Sequence, residues 1–223
     1  MKQRTILRSK YPFKTLLRYI PQRYASLKDW QEEQRTTITR FKNGHGSPKL
    51  YQYFADVIRK ITESVPGQWV ITFVPPTIGY EQEYNWRYQE ITEYLKEALP
   101  HIPVIYQGVL VKEEWTRLPK SMGGKRTIEP GNLCIDTDAF KGKFVILIDD
   151  IITTGYSFRT VGDALVQAGA TKIHGVILAM TIHPNLPVKS VRRNNKSFPA
   201  PSQNVKYNND NIIINKTENQ RKQ

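Results

Sequence analysis

Two adjacent aspartates, Asp149 and Asp150, follow the apolar run FVILI, and Thr153-Thr154-Gly155-Tyr156-Ser157 comes directly afterwards. Side-by-side carboxylates repel one another and ionise comfortably only beside a cation or hydroxyl donors. The Thr-Thr-Gly turn asks for the opposite partner. Gly155 lacks a Cβ and allows a tight turn. A helix starting there would offer free amides and about half a positive charge, both of which favour an anion. Thr153, Thr154 and Ser157 add hydroxyl donors. A ligand that meets both demands carries a phosphate, several hydroxyls and a divalent metal.

Other readings of the same string fare less well. A Walker B acid also follows an apolar strand, but it needs a GxxxxGK[ST] loop upstream, and GGKRT at 123–127 lacks that spacing. A dinucleotide fingerprint needs GxGxxG, which is absent. The plainest alternative is an ordinary strand-to-helix turn whose aspartates merely cap the helix.

The surrounding pattern supplies elements to position these residues. Ser47-Pro48 is a helix-start signal, and Leu50, Tyr53, Phe54, Val57, Ile58 and Ile61 then recur at helical spacing. WVITFV (69–74) reads as a buried strand and 85–99 as a helix. The stretch 103–111 is β-prone, and 112–132 reads as a long loop centred on Gly123-Gly124. A strand is expected at 144–148, a helix at 156–168 and a strand at 173–180. Strands alternating with helices of this length predict an α/β fold with a parallel sheet covered on both faces. In such sheets ligands bind beyond the carboxyl ends of the strands, where Asp149 and Asp150 stand.

The net charge of +13 lies entirely at the ends: +7 in residues 1–24 and +6 in residues 184–223, with 18 basic and 18 acidic groups between them. We therefore expect a basic N-terminal extension (1–34), one domain (35–183) and a disordered basic tail (184–223) rich in Asn, Pro, Ser and Lys. Basic ends suit solubility or contact with nucleic acid. A single cysteine, Cys134, excludes disulfide scaffolds and Cys-rich zinc ribbons and suits the cytoplasm. No apolar run approaches the roughly 18–20 residues of a membrane span, and the basic start MKQRTILRSK lacks the apolar core of a secretory signal.

The segment VILIDDIITTGYS resembles the phosphoribosyl pyrophosphate (PRPP) motif of type I phosphoribosyltransferases. That motif has four apolar residues, two acids, two apolar residues, Thr-Thr-Gly and a further small or hydroxyl residue. The resemblance implies the type I fold, with Asp149 and Asp150 as the catalytic pair. They would bind the ribose hydroxyls directly or through Mg2+ and its waters. Thr153, Thr154, Gly155, Tyr156 and Ser157 would hold the 5′-phosphate. PRPP would be the co-substrate, a small nitrogenous acceptor the second partner, and a homodimer the usual assembly. On a looser level, TITRFKNGHGSPKLYQYFADVI, FVPPTI and TRLPKS…KRTIEPGNLCI are similar to segments of ComF-type, competence-associated proteins.

Pyrophosphate departs on the far side of the ribose and needs its own partners. Candidates are Pro75, Pro76 and Thr77 after WVITFV, with a cis bond conceivable at 75–76, and Lys120, Lys125 and Arg126 in the long loop. Such a loop would close over the pyrophosphate and exclude water. Arg87 is within reach of pyrophosphate but is read as a surface residue, as is His183. Two functions fit this pattern: transfer of a phosphoribosyl group, or a PRPP- or nucleotide-sensing protein that acts on nucleic acid.

Overall fold

The computed structural model describes residues 10–21, 27–76, 81–111 and 128–182, together with two short strands near the C-terminus. Four parallel strands form the central sheet: β1 (Phe13–Tyr19), β2 (Trp69–Phe73), β5 (Phe144–Ile152) and β6 (Lys172–Thr181), in the order β1-β6-β5-β2. Val104 extends the β2 side by a parallel bridge to Ile71, whose amide donates to the Pro103 carbonyl at 2.9 Å. A separate antiparallel pair joins β3 (Val109–Val111) to β4 (Leu133–Ile135).

Strands covered on both faces are largely apolar and buried on both, as β2 and β5 are up to the two aspartates. Trp69 to Phe73 are all buried, as are Val145 to Asp150 of β5. Val145 and Leu147 pack with Phe158, Val161 and Leu165 of the helix α5 (Tyr156–Gln167). By the two-residue pleat, Ile146 and Ile148 turn to the other face. That face carries α1 (Asp29–Lys42), α2 (Pro48–Ser64) and α3 (Glu81–Ala98); a short α4 spans Thr137–Phe140. The Ser47 hydroxyl caps α2 by accepting from the Leu50 amide at 3.2 Å. Phe41 of α1 stacks on Phe54 of α2 with ring centroids 5.5 Å apart. Gly175 is required by close approach: a Cβ there would lie 2.6 Å from the Phe158 ring. The result is an α/β protein whose parallel sheet is flanked by helices, consistent with the type I phosphoribosyltransferase fold.

The first strand corrects the expected N-terminal extension. Phe13–Tyr19 lies inside 1–34, yet it pairs with β6 from Phe13↔Gly175 to Tyr19↔Thr181. Its place at the sheet edge explains its charges. Lys14 and Arg18 suit an edge strand, where they discourage pairing with other chains. The helix α1 also starts within that stretch. In the C-terminal unit, 187–223, Tyr207–Asn208 pairs antiparallel with Asn211–Ile212; the rest of the expected tail lies outside the described residues. Among the described residues no helix is long and apolar enough to cross a membrane.

Candidate functional site

The strand β5 does not stop before the acids, as the sequence suggests. It continues through both aspartates to Ile152, with Asp149 in register with Ile177 of β6. Inner-strand pairing therefore buries both residues, which are 7% and 8% exposed. The Asp150 amide donates to Asp149 Oδ1 at 2.8 Å, and the Ile151 amide donates to Asp150 Oδ1 at 2.6 Å. Burial and the neighbouring Asp150 charge hold the Asp149 carboxyl well above the usual carboxylate range, against the opposing pull of the Asp150 amide and Arg87.

Arg87 is the residue that the sequence reading misplaced. It is no surface group: Nη1 donates to Asp150 Oδ2 at 3.2 Å, and the two side chains are only 13% and 12% exposed. The fold explains this contact. α3 follows β2, which lies beside β5 and in register with it, so α3 passes the end of the acid-bearing strand. Tyr88, fully buried, fixes that passage by stacking on Phe73 at 4.5 Å and donating its hydroxyl to the Val74 carbonyl at 2.9 Å. The Val74 amide in turn donates to the Ile148 carbonyl at 2.8 Å. Strand order is the signal that identifies Arg87, and no local motif carries strand order.

Beyond Ile152 the chain turns outward. Thr153, Thr154 and Tyr156 are exposed, while Gly155 and Ser157 are half-buried. Gly155 takes the left-handed conformation (φ 71°, ψ 10°) that glycine tolerates and L side chains disfavour, and it forms the N-cap of α5. The N-cap glycine has no side chain to offer, and the Thr154 hydroxyl accepts from the Tyr156 amide through a long 3.4 Å bond. A neutral hydroxyl at that distance leaves the dipole of α5, about half a positive charge, directed at the turn. The Thr153 hydroxyl lies 2.7 Å from that of Thr181, tying the turn to the end of β6.

The remaining candidates are not gathered in the same way. Pro75 and Pro76 are buried at the end of β2. Their peptide bond is trans, against the cis bond held conceivable from sequence. Neither has an N–H, so they shape the turn and cannot donate to an anion. Thr77, Lys120, Lys125, Arg126 and His183 lie outside the described residues. No group of three or more His, Cys, Asp or Glu that could hold a metal occurs among the described residues. Asp149 and Asp150 alone do fit Mg2+, a hard cation usually bound through one or two carboxylates with waters and substrate phosphates.

Acids near a strand end and a glycine-led helix start beside them, in a parallel α/β sheet, form an arrangement that can receive a phosphate-bearing ligand. No family model matches the chain. Among curated proteins, it is 35% identical over 85 residues to the bifunctional protein PyrR of Listeria welshimeri serovar 6b, which covers 34% of this chain and 46% of that protein. The bifunctional proteins PyrR of two Listeria monocytogenes strains, HCC23 and EGD-e, match with the same identity and coverage. The chain thus spans less than half the length of these relatives. The likeness supports the phosphoribosyltransferase superfamily at large, without singling out the ComF-type branch.

Proposed function

We propose that this protein transfers the 5-phosphoribosyl group from PRPP to a nitrogen nucleophile, a nucleobase or a related small acceptor, and releases pyrophosphate. One observation carries the reading. A single strand delivers a buried acid pair near its end and, three residues later, an exposed hydroxyl-rich turn into a helix whose N-cap is a left-handed glycine. The two halves match the hydroxyls and the phosphate of one sugar phosphate.

In this reaction the bond from the anomeric carbon to pyrophosphate breaks and a carbon–nitrogen bond forms, so positive charge builds on the ring. Asp149 and Asp150 would take the ribose hydroxyls, and the amides and hydroxyls of 153–157 the 5′-phosphate. The ribose is then fixed at both ends while the anomeric carbon stays accessible. The negative field of the acid pair also favours the charge that develops on the ring. Mg2+, held through Asp149 and Asp150 with substrate oxygens, would neutralise charge on the departing pyrophosphate. Lys120, Lys125, Arg126 and Thr77 are the proposed partners of pyrophosphate from the loops. A homodimer and a cytoplasmic setting belong to the same proposal.

Calorimetric titration of PRPP with Mg2+ tests it. Wild type should bind saturably and an Asp149→Asn/Asp150→Asn double variant should not, after which a nucleobase screen by pyrophosphate release would find the acceptor. A folded wild type that binds no PRPP overturns the proposal. The second reading, a PRPP- or nucleotide-sensing nucleic-acid-associated protein with ComF-type affinities, draws on the basic ends, +7 and +6. Nucleic-acid binding that weakens steeply with salt would mark it.

A further inference from the structure

The phosphoribosyl reading leaves one contact unexplained: the arginine that already occupies Asp150. The geometry points to Arg87 as an internal cation that holds the acid pair until the ligand arrives and then exchanges partners, a role that rests on that reading. A divalent cation would take its place at Asp150, and the freed guanidinium would turn to the phosphate groups that the cation brings.

Three observations lead there. First, the pair is built into the site. Asp150 Oδ2 accepts from Arg87 Nη1 at 3.2 Å across 63 residues of sequence, with both side chains nearly out of solvent. A carboxylate so engaged has fewer oxygen lone pairs left for a metal, and a guanidinium beside it repels any second cation. Second, the backbone that carries Arg87 is fixed. Tyr88 is clamped by its ring stack on Phe73 and its hydroxyl bond to Val74, and Val74 is bonded to Ile148 of the acid-bearing strand. Exchange is thus a rotation of one long side chain about a fixed point, with no movement of α3. Third, the charges fit the exchange. Asp150 and Arg87 neutralise one another in the free site, while a divalent cation bound to a polyphosphate brings one charge for each of them. Arginine suits the second role, since its planar fork of donors matches phosphate oxygens.

The exchange predicts opposite effects on two ligands. Arg87→Met keeps length and apolar bulk but removes the competing cation. Mn2+ alone, followed by its electron paramagnetic resonance signal, should bind this variant at least about tenfold more tightly than wild type, the scale of one charge-assisted hydrogen bond that the metal no longer has to displace. Pyrophosphate with Mg2+, followed by calorimetry, should bind it at least about tenfold more weakly, as expected for a lost charge-assisted hydrogen bond. Arg87→Lys retains a cation, so its Mn2+ affinity should stay near that of wild type. It also controls for folding, alongside far-ultraviolet circular dichroism of all three proteins. Unchanged or weaker Mn2+ binding by a folded Arg87→Met overturns the exchange, even if pyrophosphate binding falls. Should Arg87→Met fail to fold, Arg87→Gln gives the same comparison. Failure of the phosphoribosyl reading shows itself separately, as wild type that binds Mn2+ but no PRPP.

Discussion

The two ends of the parallel sheet differ in what they store. At the carboxyl end of β5 sit two buried carboxylates, a mostly buried guanidinium and a left-handed glycine that opens a helix. At the amino end, a cleft of about 720 Å3 opens beside Trp69, His101, Pro103, Asp138 and Lys143. There Trp69 stacks edge-on against Phe144 at 5.2 Å and donates its indole N–H to the Val65 carbonyl, so the wall is well satisfied. This cleft and the buried acids thus lie at opposite ends of the sheet. We take the buried acids as the better guide, because coupled, perturbed titratable groups gather at functional sites.

The largest effect should come from the amino end, and it should be confined to stability. Trp69→Ala removes a buried indole and its contacts with Phe144, so it should destabilise the protein by about 3–5 kcal/mol. Denaturant titration measures the loss. PRPP affinity per folded molecule, measured well below the melting temperature, should stay unchanged. A parallel loss of affinity would erase the distinction between the two ends.

At the carboxyl end the signs reverse. Asp149 holds its proton more tightly in the folded protein than its ordinary value of 3.8. Its contribution to stability is therefore full below that value and is lost as pH rises through the folded value. Asp149→Asn should raise the melting temperature at pH 7 and, on the proposed function, abolish PRPP binding. The stability gain should vanish in scans below pH 3.8. A variant that is both less stable and inactive would make Asp149 a structural residue.

The smallest effect is a change of slope. His174 of β6 carries a buried Nε2 with no hydrogen-bond partner, and burial, with Lys14 and Lys172 close by, pushes its pKa down to about 4. A depressed histidine contributes stability above its ordinary value of 6.5, and that contribution is lost as pH falls towards about 4. His174→Leu should therefore flatten the stability profile across this interval in denaturant titrations at stepped pH. It should leave PRPP binding at neutral pH as it was. An unaltered slope would remove His174 from the account of the amino end.

How much of this was visible in the sequence depended on whether the signal was local. The buried run FVILI, the Ser47-Pro48 helix start and the Thr-Thr-Gly turn are local, and each stands where the sequence put it. The strand Phe13–Tyr19 was lost in a run of basic residues because an edge strand is recognisable mainly through its neighbour, here β6. Arg87 was lost for a related reason: its partner is chosen by strand order, which puts α3 beside a strand 57 residues further on. The acids were assigned to a loop because two aspartates rarely continue a buried strand. They do so here with backbone amides and Arg87 to satisfy them.

The strand order also sets a timetable for synthesis. β1 is made before the other strands of the sheet, yet among the described strands its one neighbour is β6, the last of that sheet, with Phe13 opposite Gly175. At about 5–20 residues per second, the nascent chain carries an unpaired first strand for on the order of ten seconds. β5 likewise gains its second neighbour only when β6 slides between it and β1. The sheet is completed by insertion at its middle, so the acid-bearing strand is locked on both sides only as the domain nears its end. Lys14 and Arg18, which serve a sheet edge in the finished protein, keep that waiting strand soluble in the meantime.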